Sequence, residues 1–177
     1  MDSPPKATKK QRPRTRHRVA APRTTPRSKA PEQKVSSKQL TFANGVLYTD
    51  SHLPFTGNAG ITLPDTSYYQ GEFLDGKMDG WGTLQLPDGE TYEGAFKAGV
   101  FHGQGSYIFT DGRRYTGAFR QGKREGHGLL TYLDGSSYEG DFANEVFEGK
   151  GTYIFPDGSY YKGDMSSGFF SGHGVLL

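Results

Sequence analysis

The chain has 177 residues, a net charge of +2 and no cysteine, and it contains 26 glycines, 12 phenylalanines and 11 tyrosines. The lack of cysteine excludes disulfides, thiolate metal sites and catalytic thiol chemistry. No apolar run approaches the roughly 20 residues of a membrane-spanning helix, so we expect a cytosolic protein or a peripheral protein that faces the cytosol.

The first 39 residues differ from the rest in composition. Residues 1–40 carry 12 Lys and Arg against Asp2 and Glu32, a net charge of +10, whereas all glycines and all aromatic residues follow Leu40 and the rest of the chain has a net charge of −8. A segment with six prolines and few large apolar residues cannot offset its ordering entropy, so residues 1–39 are predicted to be a disordered, basic, Pro-rich tail.

The tail contains a dense cationic cluster, formed by Lys9, Lys10, Arg12, Arg14, Arg16 and Arg18. Such a cluster contacts anionic lipid, an acidic tubulin-like surface, a nuclear import receptor or nucleic acid, or it is a solvated tail without a specific partner. No aromatic residue lies between the charges, so sequence-specific binding of nucleic acid is not expected.

Residues 40–68 match only in part the 23-residue repeat units that begin at residue 69. Gly57 and Asp65 stand 23 residues before Gly80 and Asp88, but Tyr48 and Gly57 are two residues closer together than Tyr69 and Gly80. We predict a degenerate first repeat that caps the array.

From residue 69 onward the sequence repeats every 23 residues. The units are 69–91, 92–114, 115–137 and 138–160, followed by a truncated unit, 161–177. Each unit begins with Tyr-x-Gly, and these pairs are Tyr69 and Gly71, Tyr92 and Gly94, Tyr115 and Gly117, Tyr138 and Gly140, and Tyr161 and Gly163. A Phe, or Met165 in the last unit, comes two residues later, then Gly-x-Gly, and each full unit closes with Asp-Gly.

The spacing inside a unit is that of β-strands. Tyr92, Gly94 and Phe96 alternate at period two, a polar loop containing Gly99 follows, and Asp-Gly marks a tight turn between units. Each unit is therefore a β-hairpin, and we predict an all-β, elongated, single-sheet antiparallel meander of stacked hairpins. We expect the recurring glycines to leave room for aromatic rings to lie flat on the backbone.

The pattern Tyr-x-Gly-x-Phe, Gly-x-Gly, Asp-Gly resembles the MORN (membrane occupation and recognition nexus) repeat over residues 40–177. The resemblance implies an elongated β array used for protein binding and tethering, and lipid binding has also been proposed for the family. Small proteins of this kind are associated with the cytoskeleton, cilia, flagella and sperm, which extends the expected location to those structures or to a vesicle surface such as the acrosome.

The sequence indicates no catalytic, cofactor-binding or metal-binding residues. Gly-x-Gly lacks the following helix that a phosphate loop needs, and the recurring aspartates are turn formers. His102, His127 and His173 occupy different unit positions without a ligand pattern. We therefore expect a non-enzymatic scaffold or adaptor that binds a protein partner through the array, or alternatively a membrane-tethering module that binds anionic lipid mainly through the tail.

Partner binding is predicted at large side chains just before Gly-x-Gly, where a polar residue is usual: Met78, Phe101, Arg124, Phe147, Phe169 and Phe170. They form either a seam that closes each hairpin onto its neighbour or a docking stripe for a helix or peptide. Arg124 is expected to pair with an acidic residue of the partner, and Glu145, which replaces a loop glycine, predicts a loop that differs from the others.

The C-terminal strand around residues 172–177 carries no charge or proline that would block its edge. Exposed strand edges tend to pair. This predicts a homodimer through that edge, or a partner that adds a strand there, with a frayed end as the alternative.

Overall fold

A computed structural model describes residues 40–177, and within that range it is all β, without a helix. The predicted disorder of residues 1–39 and the binding role of their cationic cluster lie outside the described residues. The strands are β1 (Leu40–Ala43), β2 (Val46–Thr49), β3 (Gly57–Thr62), β4 (Tyr68–Leu74), β5 (Lys77–Gln85), β6 (Thr91–Lys97), β7 (Val100–Ile108), β8 (Arg114–Arg120), β9 (Lys123–Thr131), β10 (Ser137–Ala143), β11 (Val146–Ile154), β12 (Tyr160–Ser166) and β13 (Phe169–Leu176).

Strands β3 to β13 form one 11-stranded sheet in which each strand pairs antiparallel with its neighbours in sequence. The prediction of an antiparallel meander of stacked hairpins is confirmed. The first hairpin is an exception, because β1 and β2 pair only with each other in a separate two-stranded sheet.

Two kinds of turn alternate along the ribbon. Inside a unit, β6 and β7 are joined by Ala98 and Gly99, both at positive φ (50° and 91°), as in the type I′ turn that matches the twist of paired strands. Between units, Gly89 donates from its backbone N–H to Leu86 O (3.0 Å), and Asp88 Oδ1 accepts the N–H of Glu90. The prediction that Asp-Gly forms the turns between units is confirmed.

Each repeat tyrosine lies over a glycine of the following strand. A methyl group added at Gly105 would come within 2.6 Å of the Tyr92 ring, and one added at Gly94 would come equally close to the Tyr92 hydroxyl. The hydroxyl donates to Ala95 O (2.7 Å), a carbonyl at the bulge between Gly94 and Phe96. The expected role of glycine is confirmed, and the bulge explains why tyrosine rather than phenylalanine occupies this position.

The core is a continuous row of aromatic rings. Tyr92 meets Phe96 of its own unit and Phe119 of the next unit edge to face, both at 5.1 Å between ring centroids. Tyr69 and Tyr115 make the same two contacts at 5.0–5.1 Å. Since edge-to-face pairs are favourable, successive units stabilise one another through this row.

Two buried side chains from the irregular first unit complete the core at its N-terminal end. Phe55 contacts Phe73 at 6.0 Å, and Leu47 donates from its backbone N–H to Gly76 O at 2.7 Å. Gly57 pairs with Phe73 as Gly80 pairs with Phe96, so the register counted backward from the sequence is correct.

Candidate partner-binding groove

The sheet face that carries the repeat tyrosines also carries a line of half-buried aromatic residues. These groove aromatics are Tyr107, Phe109, Tyr132, Tyr153 and Phe155. Tyr107 pairs with Tyr92 across the strands, and Tyr153 pairs with Tyr161, which places them on the tyrosine face. They form two groups of contacting rings. Tyr107 and Phe109 are 4.7 Å apart between ring centroids, and Tyr153 lies 6.3 Å from Tyr132 and 5.0 Å from Phe155.

The predicted partner-binding residues lie beside this line as a row that covers the repeat tyrosines. Phe101, Phe147 and Phe170 stack on Tyr92, Tyr138 and Tyr161 at 3.8, 3.8 and 4.1 Å. Met78 occupies the equivalent register position, opposite Phe73. Phe101, Phe147 and Met78 are half-buried, and each thus closes its hairpin while keeping one side at the surface.

Phe169 does not belong to this row. It pairs with Ser166, whereas Phe170 pairs with the buried Met165, so the two phenylalanines point to opposite faces. The structure therefore corrects the grouping of Phe169 with the other predicted residues. Strand alternation is the physical reason.

Arg124 replaces the aromatic member of the row in its unit, and it pairs inside the chain. Its guanidinium lies 5.6 Å from the centroid of the Tyr115 ring, where the other units place a Phe or Met. Its Nε donates to Glu145 Oε2 (2.7 Å), and its terminal nitrogen donates to Glu145 O (2.9 Å). Glu145 therefore binds the guanidinium within the chain, and the expected pairing of Arg124 with an acid of the partner stays a prediction.

The expectation that the loop at Glu145 differs from the others is wrong for the backbone. Glu145 adopts φ +78°, close to the +80° of Gly122, and its N–H donates to Arg124 O as that of Gly122 donates to Phe101 O. A non-glycine residue is strained at this φ. Glu145 makes its contacts with Arg124 from this conformation.

Acidic residues line the edge of the ribbon beside the groove. The turn triplets 65–67, 88–90, 111–113, 134–136 and 157–159 hold six carboxylates and one guanidinium, Arg113. In three of these turns, a serine two residues after the aspartate donates from its N–H and hydroxyl to Oδ1, and these hydrogen bonds lower the pKa of Asp65, Asp134 and Asp157. The edge is therefore anionic at neutral pH.

Hydrogen bonds orient two of the groove aromatics. The Tyr107 hydroxyl donates to Glu90 Oε2, and burial followed by this hydrogen bond raises the pKa of Tyr107. The Tyr153 hydroxyl donates to Ser136 Oγ at 3.3 Å. Phe109 lies near two guanidiniums, 4.7 Å from Arg113 and 5.6 Å from Arg124.

The groove deepens at two places. A concavity of about 220 Å³ is lined by Phe101, Tyr107, Phe109, Phe119, Gly122, Arg124 and Glu145. A second, more open one of about 510 Å³ lies at the C-terminal end of the ribbon and is lined by Phe155, Pro156, Asp157, Ser159, Leu176 and Leu177.

Within residues 40–177, no group of three or more His, Asp or Glu side chains comes together as metal ligands would. The same range offers no helix that is long and apolar enough to cross a bilayer. The side chains that line the 220 Å³ concavity are aromatic and charged groups.

The groove aromatics were not identified from the sequence, although the signal was present. Phe109, Tyr132 and Phe155 are 23 residues apart, as are Phe55 and Met78, so Phe55 stands one unit before Met78 in the same column of the repeat. The 23-residue spacing of these large side chains is visible in the sequence, and it indicates both the groove aromatics and Phe55. The partner-binding role of the six predicted residues stays a prediction.

No curated protein matches this chain. Among solved structures, a similar one is the SAS-4 (dCPAP) TCP domain of Drosophila melanogaster, solved in complex with a proline-rich motif of Ana2 (dSTIL). The two share 17% identity at a TM-score of 0.37, over 62% of this chain and 66% of that one, so this chain spans slightly less than two thirds of the domain's length. These values are too low to indicate a shared partner.

The profile of the MORN repeat family matches five consecutive segments, residues 69–91, 92–113, 115–137, 138–160 and 161–177, which together make up more than half of the chain. The matches follow the tyrosines, glycines and turns described above. The chain therefore belongs to the MORN repeat family.

Proposed function

We propose that the chain is a non-enzymatic scaffold that binds a segment of a protein partner along the groove aromatics. The observation that supports this most directly is the alignment of half-buried aromatic side chains on one face, where Tyr107 contacts Phe109 and Tyr153 contacts both Tyr132 and Phe155. Aromatic residues are enriched in the interfaces that proteins form, and contiguous apolar surface marks such sites. MORN repeats are consistent with a protein-binding or membrane-associated module.

The test compares variants of the groove with variants of the opposite face. Phe109→Lys combined with Phe155→Lys places charges in the groove, and Ile108→Lys combined with Ile154→Lys makes the matched change one residue away, on the other face. Both tagged chains and the parent are used for affinity capture from cell extract with mass spectrometry, after circular dichroism has shown that they fold.

We expect proteins captured by the parent to be lost with the groove variant and retained by the opposite-face variant. Equal capture by all three chains would overturn the groove as the binding surface.

The alternative is tethering to anionic membranes, and the charge of +10 on residues 1–40 supports it. Each basic residue near such a surface contributes up to about 1 kcal/mol. Co-sedimentation with phosphatidylserine vesicles tests it, using the full chain and a variant with Lys9, Lys10, Arg12, Arg14, Arg16 and Arg18 all changed to Gln. Binding lost in that variant would support tethering through the tail, and no binding by the parent would exclude it.

We also propose a location, on the basis of the resemblance to small MORN proteins. The chain is expected in the cytoplasm, at the cytoskeleton, at a cilium or flagellum, or at a vesicle such as the acrosome. Imaging of the tagged full chain tests this, and a diffuse distribution throughout the cell would contradict it.

We also propose that β13 pairs with a second copy of the chain or with a strand of a partner. Its outer edge has no partner strand among residues 40–177, and Val175 and Leu176 are 54% and 67% exposed. Light scattering of the parent and of Leu176→Lys across micromolar concentrations distinguishes the two. A dimer that Leu176→Lys abolishes supports self-pairing, whereas a monomer in both samples leaves only pairing with a partner.

A further inference from the structure

The groove repeats once per unit along the ribbon. Its outer row, formed by Leu63, Leu86, Phe109, Tyr132 and Phe155, contributes one half-buried apolar side chain per unit. The aspartates of the turns, two residues further along the chain, form a parallel row at the edge: Asp65, Asp88, Asp111, Asp134 and Asp157. Since each unit adds two strands, equivalent residues are roughly 9.4–9.8 Å apart.

A peptide that runs along the groove can contact every unit in the same way only if its own repeat distance matches this spacing. The three regular peptide conformations differ in that distance. A polyproline II helix has three residues per turn and advances about 9.3 Å per turn, so every third residue meets an equivalent site. An α-helix returns to the same face after seven residues and about 10.5 Å, and therefore drifts out of register by nearly 1 Å per unit. In an extended strand, the third residue points to the opposite face.

The chemistry of the two rows agrees with this conformation. Aromatic-lined grooves dock proline rings of polyproline II segments, whose preformed helix loses little entropy on binding. The peptide face next to the prolines would meet the aspartate row. Hydrogen bonds lower the pKa of four carboxyl groups in this row, those of Asp65, Asp111, Asp134 and Asp157. Six carboxylates against one guanidinium in the turns favour a basic peptide.

We propose, building on the binding function proposed above, that the groove takes a basic polyproline II peptide of a partner protein, with proline at every third residue facing the outer row and Arg or Lys facing the aspartate row. The peptide runs along the long axis of the ribbon, across the strands. Each unit receives one turn of the peptide, and Phe109, Tyr132 and Phe155 supply the aromatic contacts.

The direct experiment is fluorescence anisotropy of labelled peptides titrated with the full chain. The probe is five repeats of Pro-Ala-Arg. Three controls accompany it: a peptide of the same composition with irregularly spaced prolines, five repeats of Pro-Ala-Glu, and an arginine-rich amphipathic helix. We expect the probe to bind at least about tenfold more tightly than each control. Binding should weaken with added salt and strengthen with each added Pro-Ala-Arg unit until the groove is filled.

The groove variant Phe109→Lys with Phe155→Lys should abolish this binding, and Ile108→Lys with Ile154→Lys should retain it. Equal binding of the probe and of the irregular peptide would show an attraction of charge alone and overturn the proposal. Tighter binding of the helix would overturn it as well, while leaving the groove as a protein-binding surface.

The chain's own N-terminal segment is a second candidate occupant, because Pro22, Pro26 and Pro31 alternate with basic residues there. Probe binding that appears only after these three prolines are changed to Ala in the full chain would assign the groove to that segment and overturn the partner assignment. If no peptide binds but capture from extract still depends on the groove, the peptide class is wrong and the proposed function stands. If neither peptide binding nor capture from extract depends on the groove, both the proposed peptide class and the proposed function of the groove are wrong.

Discussion

At the scale of single residues, the fold depends on glycines that have no room for a side chain. Gly105 lies beneath the Tyr92 ring, and the equivalent glycines 82, 128, 151 and 174 lie beneath the other repeat tyrosines. The tyrosine hydroxyl also satisfies a bulge carbonyl in every unit, at 2.7–2.9 Å. The glycine and the tyrosine therefore act as one pair, in which the glycine has no room for a side chain beneath the ring.

We predict that Gly105→Val destabilises the protein by about 1–3 kcal/mol or more, because it pushes the Tyr92 ring off its site and weakens the bond to Ala95 O. Ser106→Val, one residue away on the opposite face, is the control and should be mild, since it removes only a 3.4 Å hydrogen bond from Thr116. Urea unfolding measures both free energies. Equal losses in the two variants would show that the faces are misassigned.

At the scale of the repeat unit, two departures from the pattern compensate each other. Arg124 takes the place of an aromatic residue in one hairpin, and Glu145 takes the place of a glycine in the next. Their ion pair is largely shielded on the Arg124 side, whose side chain is 14% exposed. The contact connects β9 to the loop between β10 and β11, and it forms one wall of the 220 Å³ concavity.

A double-mutant cycle on Arg124→Phe and Glu145→Gly should give a coupling energy of roughly 1–3 kcal/mol. Arg124→Phe alone leaves Glu145 at a strained φ without its partner, and Glu145→Gly alone leaves a half-buried guanidinium unpaired. The double variant restores the Phe-on-Tyr and glycine pattern of the neighbouring units, so we expect stability at least equal to that of the parent. Strictly additive losses would mean that the ion pair contributes nothing.

At the scale of the whole molecule, the raised pKa of four repeat tyrosines makes several units sensitive to alkaline pH at once. Burial raises the pKa of Tyr138 to about 12, and it raises the pKa of Tyr69, Tyr92 and Tyr115 further above the ordinary value. In the unfolded chain these phenols ionise near pH 10. Above about pH 10 the unfolded state has therefore released protons that the folded state keeps, so the stabilisation present below that pH is lost as the pH rises towards the folded-state values.

We predict that the urea midpoint falls steeply above about pH 10, together with the appearance of tyrosinate absorbance. Tyr138→Phe removes one ionising phenol, so it should make the fall of the urea midpoint with pH less steep. Lysines ionise in the same pH range, and this variant distinguishes the contribution of the tyrosines from theirs. Tyrosinate absorbance that reached its full value while the protein was still folded would contradict the prediction.

The sequence by itself determined the repeat, the turns, the alternation of faces and the antiparallel meander, because each of these depends on residues close together in the chain. Period-two alternation, Asp-Gly and the glycine columns act through local sterics and φ preferences, and they recur in every unit.

Only the tertiary structure decided which side chains meet across units. It paired Arg124 with Glu145, 21 residues away, placed Phe119 against Tyr92, separated the β1–β2 hairpin from the ribbon, and left Tyr107, Tyr132 and Phe155 half-exposed as a groove. These outcomes depend on the distance and angle between neighbouring hairpins, which are set by packing and twist rather than by the residues of any single unit.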